Sequence, residues 1–162
     1  MSAAGAGEGG RPAKAVAHFR ANCNCAQAIL MAYGPSVGLT EDLARDLGAP
    51  MGGGLAMSGS TCGAAAAACL VLGLEASSSG MPEDAAKDRA YVRAAEFLSN
   101  FGAVHGAVNC RDLIGKDLST PEGREKARGE GVFETTCPRF VEGAGRILDA
   151  MLPGETGSGE NP

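Results

Sequence analysis

The chain has no tryptophan, two tyrosines and five phenylalanines among 162 residues, although 44% of it is apolar. That scarcity excludes a thick aromatic core, so Ala, Leu and Gly must fill most of the interior. Small side chains allow close helix–helix approach, but each contributes less burial than a large one. Long hydrophobic runs are missing as well. The longest, Cys62 to Leu74, is too short to cross a bilayer as a helix. The opening "MSAAGAGEGG" has neither a basic nor an apolar stretch of the secretory kind, so a cytoplasmic protein without membrane insertion is expected. No alternating apolar–polar stretch of useful length occurs, which argues against a sheet. The 14 basic residues are outnumbered by 19 acidic ones, for a net charge of −5, and they gather on no face. Nucleic acid is therefore excluded as the expected partner. No Gly-x-Gly-x-x-Gly follows a strand and no carboxylate pair stands out, so neither a nucleotide cofactor nor hydrolysis finds support. There is no C-x-x-C-H, hence no c-type haem attachment.

What the chain does contain is helical punctuation. The expected fold is all-α, a compact bundle of five or six short helices forming one domain over residues 11–152. Residues 1–10 and the tail 153–162, rich in Gly, Ser and Glu, are expected to be disordered. A first helix is predicted from Ala13 to Met31, ended by Gly34 and Pro35. Thr40 caps "EDLARDLG", with acids in the favourable first turn. A glycine-rich connection, Gly48 to Gly59, leads to a helix over Cys62–Leu72. Another begins with Pro82 at its first position, and Tyr91, Ala94 or Ala95, Leu98 and Phe101 recur along it at helical spacing. "NCRDLIG" starts a helical turn at Asn109. "TPEGREKARG" reads as an exposed polar helix, and "CPRFVEGAGRILDAML" closes the fold with Phe140, Val141, Ala144, Ile147, Leu148 and Met151 inward.

Six cysteines are the chemical signal. In a reducing compartment such residues favour metal binding or thiol chemistry over structural disulfides, although a free cysteine is also a common small core residue. Cys23 and Cys25, in "NCNCAQ", would stand about 200° apart on one continuous helix, so both cannot face one site unless that helix breaks. Cys62 and Cys69 share a face but lie about 10 Å apart along the axis; Cys69, among Ala68 and Leu70, reads as core. Cys62, Cys110 and Cys137 each fall at a predicted helix start, where free N–H groups and the helix dipole favour a thiolate. His105 can reach a sulfur or supply a proton, or be a helix-end histidine with no such role. His18 is too far from Cys25 to share a site, and Asp112 and Glu134 read as ordinary first-turn or loop acids.

"NCAQAIL", "MGGG" with "GSTCGA", "NCRDLIG" and the late "CP" before a helix, in this order over residues 15–152, resemble the redox-active proteins named for a C-GCAxxG-C-C cysteine pattern. The resemblance implies four functional cysteines, Cys25, Cys62, Cys110 and Cys137, and so selects Cys25 over Cys23, although it does not exclude a part for Cys23. A related domain accompanies split-Soret cytochromes, where an iron–sulfur centre has been described. One departure is Ala67, near the place where the family usually has a glycine.

Four cysteines brought together by folding suit tetrahedral sulfur ligation. Closely paired zinc knuckles are absent, so an iron–sulfur cluster is the expected cofactor, with zinc or no metal as alternatives. Backbone N–H groups of Gly52, Gly53 or Gly54 can donate to the cluster's sulfides, unless these glycines serve only a tight turn. The expected function is electron transfer or redox sensing with a protein redox partner, and a homo-oligomer is left open. The competing expectations are a metal-free dithiol oxidoreductase, with Cys62 attacking and Cys110 or Cys25 resolving, or a helical adaptor whose cysteines are merely buried.

Overall fold

The computed structural model describes residues 9–154. The expectations for residues 1–8 and 155–162 lie outside the described residues. Within them the fold is all-α. Nine α-helical segments run in the order α1 (Gly10–Arg20), α2 (Cys25–Tyr33), α3 (Glu41–Gly48), α4 (Gly63–Ser77), α5 (Glu83–His105), α6 (Cys110–Ile114), α7 (Pro121–Gly129), α8 (Val132–Thr135) and α9 (Cys137–Met151). The only β feature among the described residues is one isolated antiparallel bridge, Thr61 to Asn109.

α4 is the centre. Its buried positions include Ala64, Ala65, Ala67 and Ala68, each 0% exposed, followed by Val71 and Leu72. α2, α5 and α9 all pack on it. The alanine run thus lets neighbouring helices approach at short range, and Ala67 is accommodated in the packed core where a glycine was expected.

Two departures from the sequence reading matter for the site. The helix expected over Ala13–Met31 is broken: Asn22 adopts a left-handed φ of 76°, and a new helix starts at Cys25. Asn24 caps it. Its side chain accepts from Gln27 N, while the Gln27 side chain accepts from Asn24 N, both at 2.9 Å. The Asn24 amide also donates to the carbonyls of Gly48 and Ala49, tying α2 to the end of α3. This reciprocal capping box stabilises two N–H groups that a helix start leaves free. The second departure is α5. Its inward stripe runs through Ala86, Phe97 and Phe101, while Tyr91 is 68% exposed. The stripe's N-terminal half is built of alanines, which a pattern read from large residues misses. α3, by contrast, starts where expected, with the Thr40 hydroxyl accepting from Leu43 N. Pro82 is the residue before α5 rather than its first.

Candidate functional site

The break after α1 changes the status of Cys25. It is now the first residue of α2, just as Cys110 and Cys137 are the first residues of α6 and α9. Cys62 stands one position earlier on its helix, as the N-cap of α4. All four therefore sit where unpaired backbone N–H groups gather.

One cavity of about 610 Å³ is lined by all four of these cysteines. Cys23 lines it too, from the turn between α1 and α2, with its thiol 3.7 Å from the Met31 sulfur. The broken helix is what allows both members of "NCNC" to reach the same space. Cys69 lies elsewhere, on a separate groove beside Leu70 and Leu74. His105 is not at the cavity either. Its ring packs 4.6 Å from Phe101 and 5.2 Å from Phe140, and burial holds its pKa below the ordinary value, with Arg139 adding to the effect. His18 lies in the last turn of α1, where its carbonyl accepts from Cys23 N.

The register of Cys62 and Cys110 comes from a short antiparallel pairing of two loops. Cys62 N donates to Val108 O at 2.8 Å, Cys110 N to Ser60 O at 2.7 Å, and Arg111 N to Gly59 O at 3.1 Å. Thr61 and Asn109 face each other between them, so alternation along the extended backbone puts both cysteines on the other face.

Against this pairing lies an unusual turn. Gly53, Gly54, Leu55, Ala56 and Met57 all have left-handed φ, between 50° and 72°. Each of the three residues with a side chain costs about 1–2 kcal/mol in that conformation. Bonds from Ala56 N to Pro50 O, Met57 N to Gly52 O and Ser60 N to Gly54 O hold it in place. Gly52, Gly53 and Met57 line the cavity, and Gly54 lies against Cys110, so strain is concentrated beside the thiols. Leu55 is 57% exposed, so its strain can be relieved without loss of packing. Leu55→Gly is expected to stabilise the fold by about 0.5–1 kcal/mol, the left-handed penalty less the entropy of a glycine. Thermal unfolding measures this; a lower melting temperature than wild type would contradict it.

Charge among the thiols is uneven. Cys25 is held below the ordinary thiol range, at about 7, chiefly because the Cys62 thiol donates to its sulfur; the N–H groups of Ala64, Cys25 and Ala26 assist and burial opposes. The Cys25 sulfur thus lies between the N-termini of α2 and α4. Gly63 permits this approach, since a Cβ there would stand 2.7 Å from Cys25 Sγ. Cys62 is pushed well up by the same hydrogen bond, by burial and by the Cys25 charge. Burial and the Cys25 charge push Cys110 up to about 11. Cys137 rises to about 12 through burial, Cys25, Cys110 and Glu134. Without a metal, one negative charge is favoured and the other thiols keep their protons.

The family described as "Putative redox-active protein (C_GCAxxG_C_C)" matches residues 23–151. The chain belongs to this family. No curated protein and no solved structure matches it. The C-GCAxxG-C-C match spans every element from the Asn24 cap to the last turn of α9, and therefore every cysteine of the cavity, while Phe19, Arg20 and Asn22 of its wall precede the match. Its general role is redox. Parts of the cavity wall were not legible in the sequence: the left-handed turn, and Arg124 and Arg128 of α7, which line the cavity although that helix was expected to be an exposed polar excursion. Glu134, expected to be an ordinary acid, lines it as well. Among the described residues no helix is long and apolar enough to cross a membrane.

Proposed function

We propose that Cys25, Cys62, Cys110 and Cys137 hold an iron–sulfur centre through which the protein passes electrons to a protein partner or senses redox state. The observation that carries this reading is the delivery of four thiols from four separate helix N-termini into one cavity. Such a centre, when bound, supplies one-electron chemistry whose potential depends on hydrogen bonds and burial. The donor set suits a cluster better than a single ion. The proposed ligands are all sulfur, as in iron–sulfur centres, and the chain lacks the closely spaced cysteine pairs of a structural zinc site. The helix N-termini offset the negative charge of four thiolates, and the backbone of Gly52 and Gly53 lies at the cavity wall in reach of a hydrogen-bonding role. Because Cys62, Cys110 and Cys137 are held protonated, loading must release protons and weaken as pH falls. Anaerobic purification followed by iron and acid-labile sulfide analysis tests the reading. Stoichiometric iron and sulfide are expected; zinc in their place, or four free thiols without metal, overturns it.

A second reading is favoured by one observation, the Cys25–Cys62 pair. A thiolate near neutral pH beside a protonated thiol is the arrangement for thiol–disulfide exchange. The hydrogen bond between them holds one charge on the pair, so in this reading one of the two sulfurs attacks and the other, or Cys110, resolves. In metal-free protein the alkylation rate of Cys25 is expected to rise through a midpoint near pH 7, since the thiolate fraction grows as pH passes the pKa. Cys62→Ala removes the donor and moves that midpoint upward. A midpoint unchanged by Cys62→Ala would show that the hydrogen bond is not its cause.

A further inference from the structure

We infer that the cavity also takes a small organic anion, a carboxylate or sulfonate on an apolar body, held by Arg124 and Arg128 beside the thiols. The anion belongs to the cavity with no centre bound at the thiols, which share the same wall, and its binding is read on the metal-free protein. The cysteines account for only part of the wall. The remainder is apolar, with Phe19, Leu118 and Phe133, and apart from the thiols it carries Arg20, Arg124 and Arg128 against Glu134. In a chain of net charge −5, the three arginines of this wall outnumber its anions even with the charge on the Cys25 sulfur counted beside Glu134. The ion pairs among the described residues engage other cations, Arg11, Arg45, Arg89, Arg111, Lys116 and Arg146. None of them takes up the three cavity arginines. Arg124 donates through Nη2 to Ser119 O at 3.4 Å, but its Nε is buried without a hydrogen-bond partner among the described residues. Leaving a guanidinium N–H dry and unpaired is costly unless an acceptor completes it.

An oxyanion is the acceptor that a guanidinium meets with two parallel hydrogen bonds. The aromatic and aliphatic walls exclude a bare inorganic anion as the best fit, because they would be left facing water. With nothing bound at the thiols, the volume of about 610 Å³ falls within the roughly 300–1,000 Å³ of small-molecule sites. An amphipathic organic anion satisfies both halves of the cavity, its charged end at α7 and its apolar body between Phe19 and Phe133.

Calorimetric titration of the metal-free full chain with 2-naphthoate, 2-naphthalenemethanol and 2-naphthylmethylammonium tests this. The carboxylate is expected to bind about tenfold or more tightly than the alcohol, with the ammonium weakest. Arg124→Gln should weaken naphthoate binding about tenfold with the helical circular dichroism retained, and Arg124→Lys should recover only part of that loss. Arg128→Gln, at an exposed position, serves as the second variant should Arg124→Gln unfold. Arg45→Gln, on α3 away from the cavity, should bind as wild type. Equal binding of the three probes, no saturation by naphthoate at millimolar concentration, or wild-type affinity in the folded arginine variants would each overturn the assignment.

Discussion

A Cys62→Ser variant purified without oxygen is expected to carry less than about a tenth of the iron and sulfide of the wild type. Loss of a supporting residue near a metal site typically costs about 10–100-fold in affinity, and loss of a ligand costs at least that. Cys62 has little freedom to be replaced. It is 5% exposed, its N–H is bonded to Val108 O, and as the N-cap of α4 its direction is set by the packed alanine helix behind it. Serine offers a harder and less acidic ligand atom from the same place, which suits iron–sulfur ligation poorly. Cys69→Ser is the internal control. Seven residues along the same helix, that side chain borders a different groove, and burial pushes its thiol pKa up. Its replacement should cost about 1 kcal/mol of packing and desolvation and leave iron and sulfide at wild-type levels. Equal loss in both variants would mean that α4 as a whole, and not the Cys62 sulfur, supports the centre.

A large stability effect is expected at Gly54. Its φ is +72°, and a Cβ there would stand 2.5 Å from Ser60 O, 2.6 Å from Ser60 N and 2.8 Å from Cys110 Cβ. Two of the three are backbone atoms, which cannot swing aside. Gly54→Ala therefore combines a left-handed penalty of about 1–2 kcal/mol with overpacking of about 1–3 kcal/mol. The sum, roughly 2–5 kcal/mol, lowers the melting temperature by about 4–20 °C in a chain of this size. Gly38→Ala separates the two causes, because its φ is +90° but nothing lies within 4 Å of the added atom; only the conformational part should appear. Thermal unfolding by circular dichroism measures both. Since Gly54 presses on the segment that carries Cys110, iron content should fall in Gly54→Ala and hold in Gly38→Ala. A Gly54→Ala loss no greater than that of Gly38→Ala would show that the left-handed turn yields to the added methyl.

What the sequence by itself determined is the set of features with local causes. Helix starts belong to this class, because a cap acts over three or four residues and its donors are neighbours in the chain. Thr40 announced α3, and Cys62, Cys110 and Cys137 could be assigned to helix N-termini before any packing was known. The break ahead of Cys25 was locally encoded too, in the Asn24–Gln27 capping box, but apolar spacing ran on across it and hid it. The face of α5 was obscured for a related reason, since alanines bury without standing out from their surroundings. Tertiary structure alone decided the rest. The pairing of Ser60–Cys62 with Val108–Cys110 joins segments far apart in the chain, and no local preference specifies it. Leu55, Ala56 and Met57 each disfavour a left-handed backbone, so no reading of propensity could find the turn; it exists because hydrogen bonds from its neighbours and close packing at Gly54 outweigh that preference. Likewise α7 is a polar helix by composition, and only its packing beside α8 turns Arg124 and Arg128 toward the cavity. Helix ends are written in adjacent residues, whereas a cavity is a property of surfaces that meet only after the chain has folded.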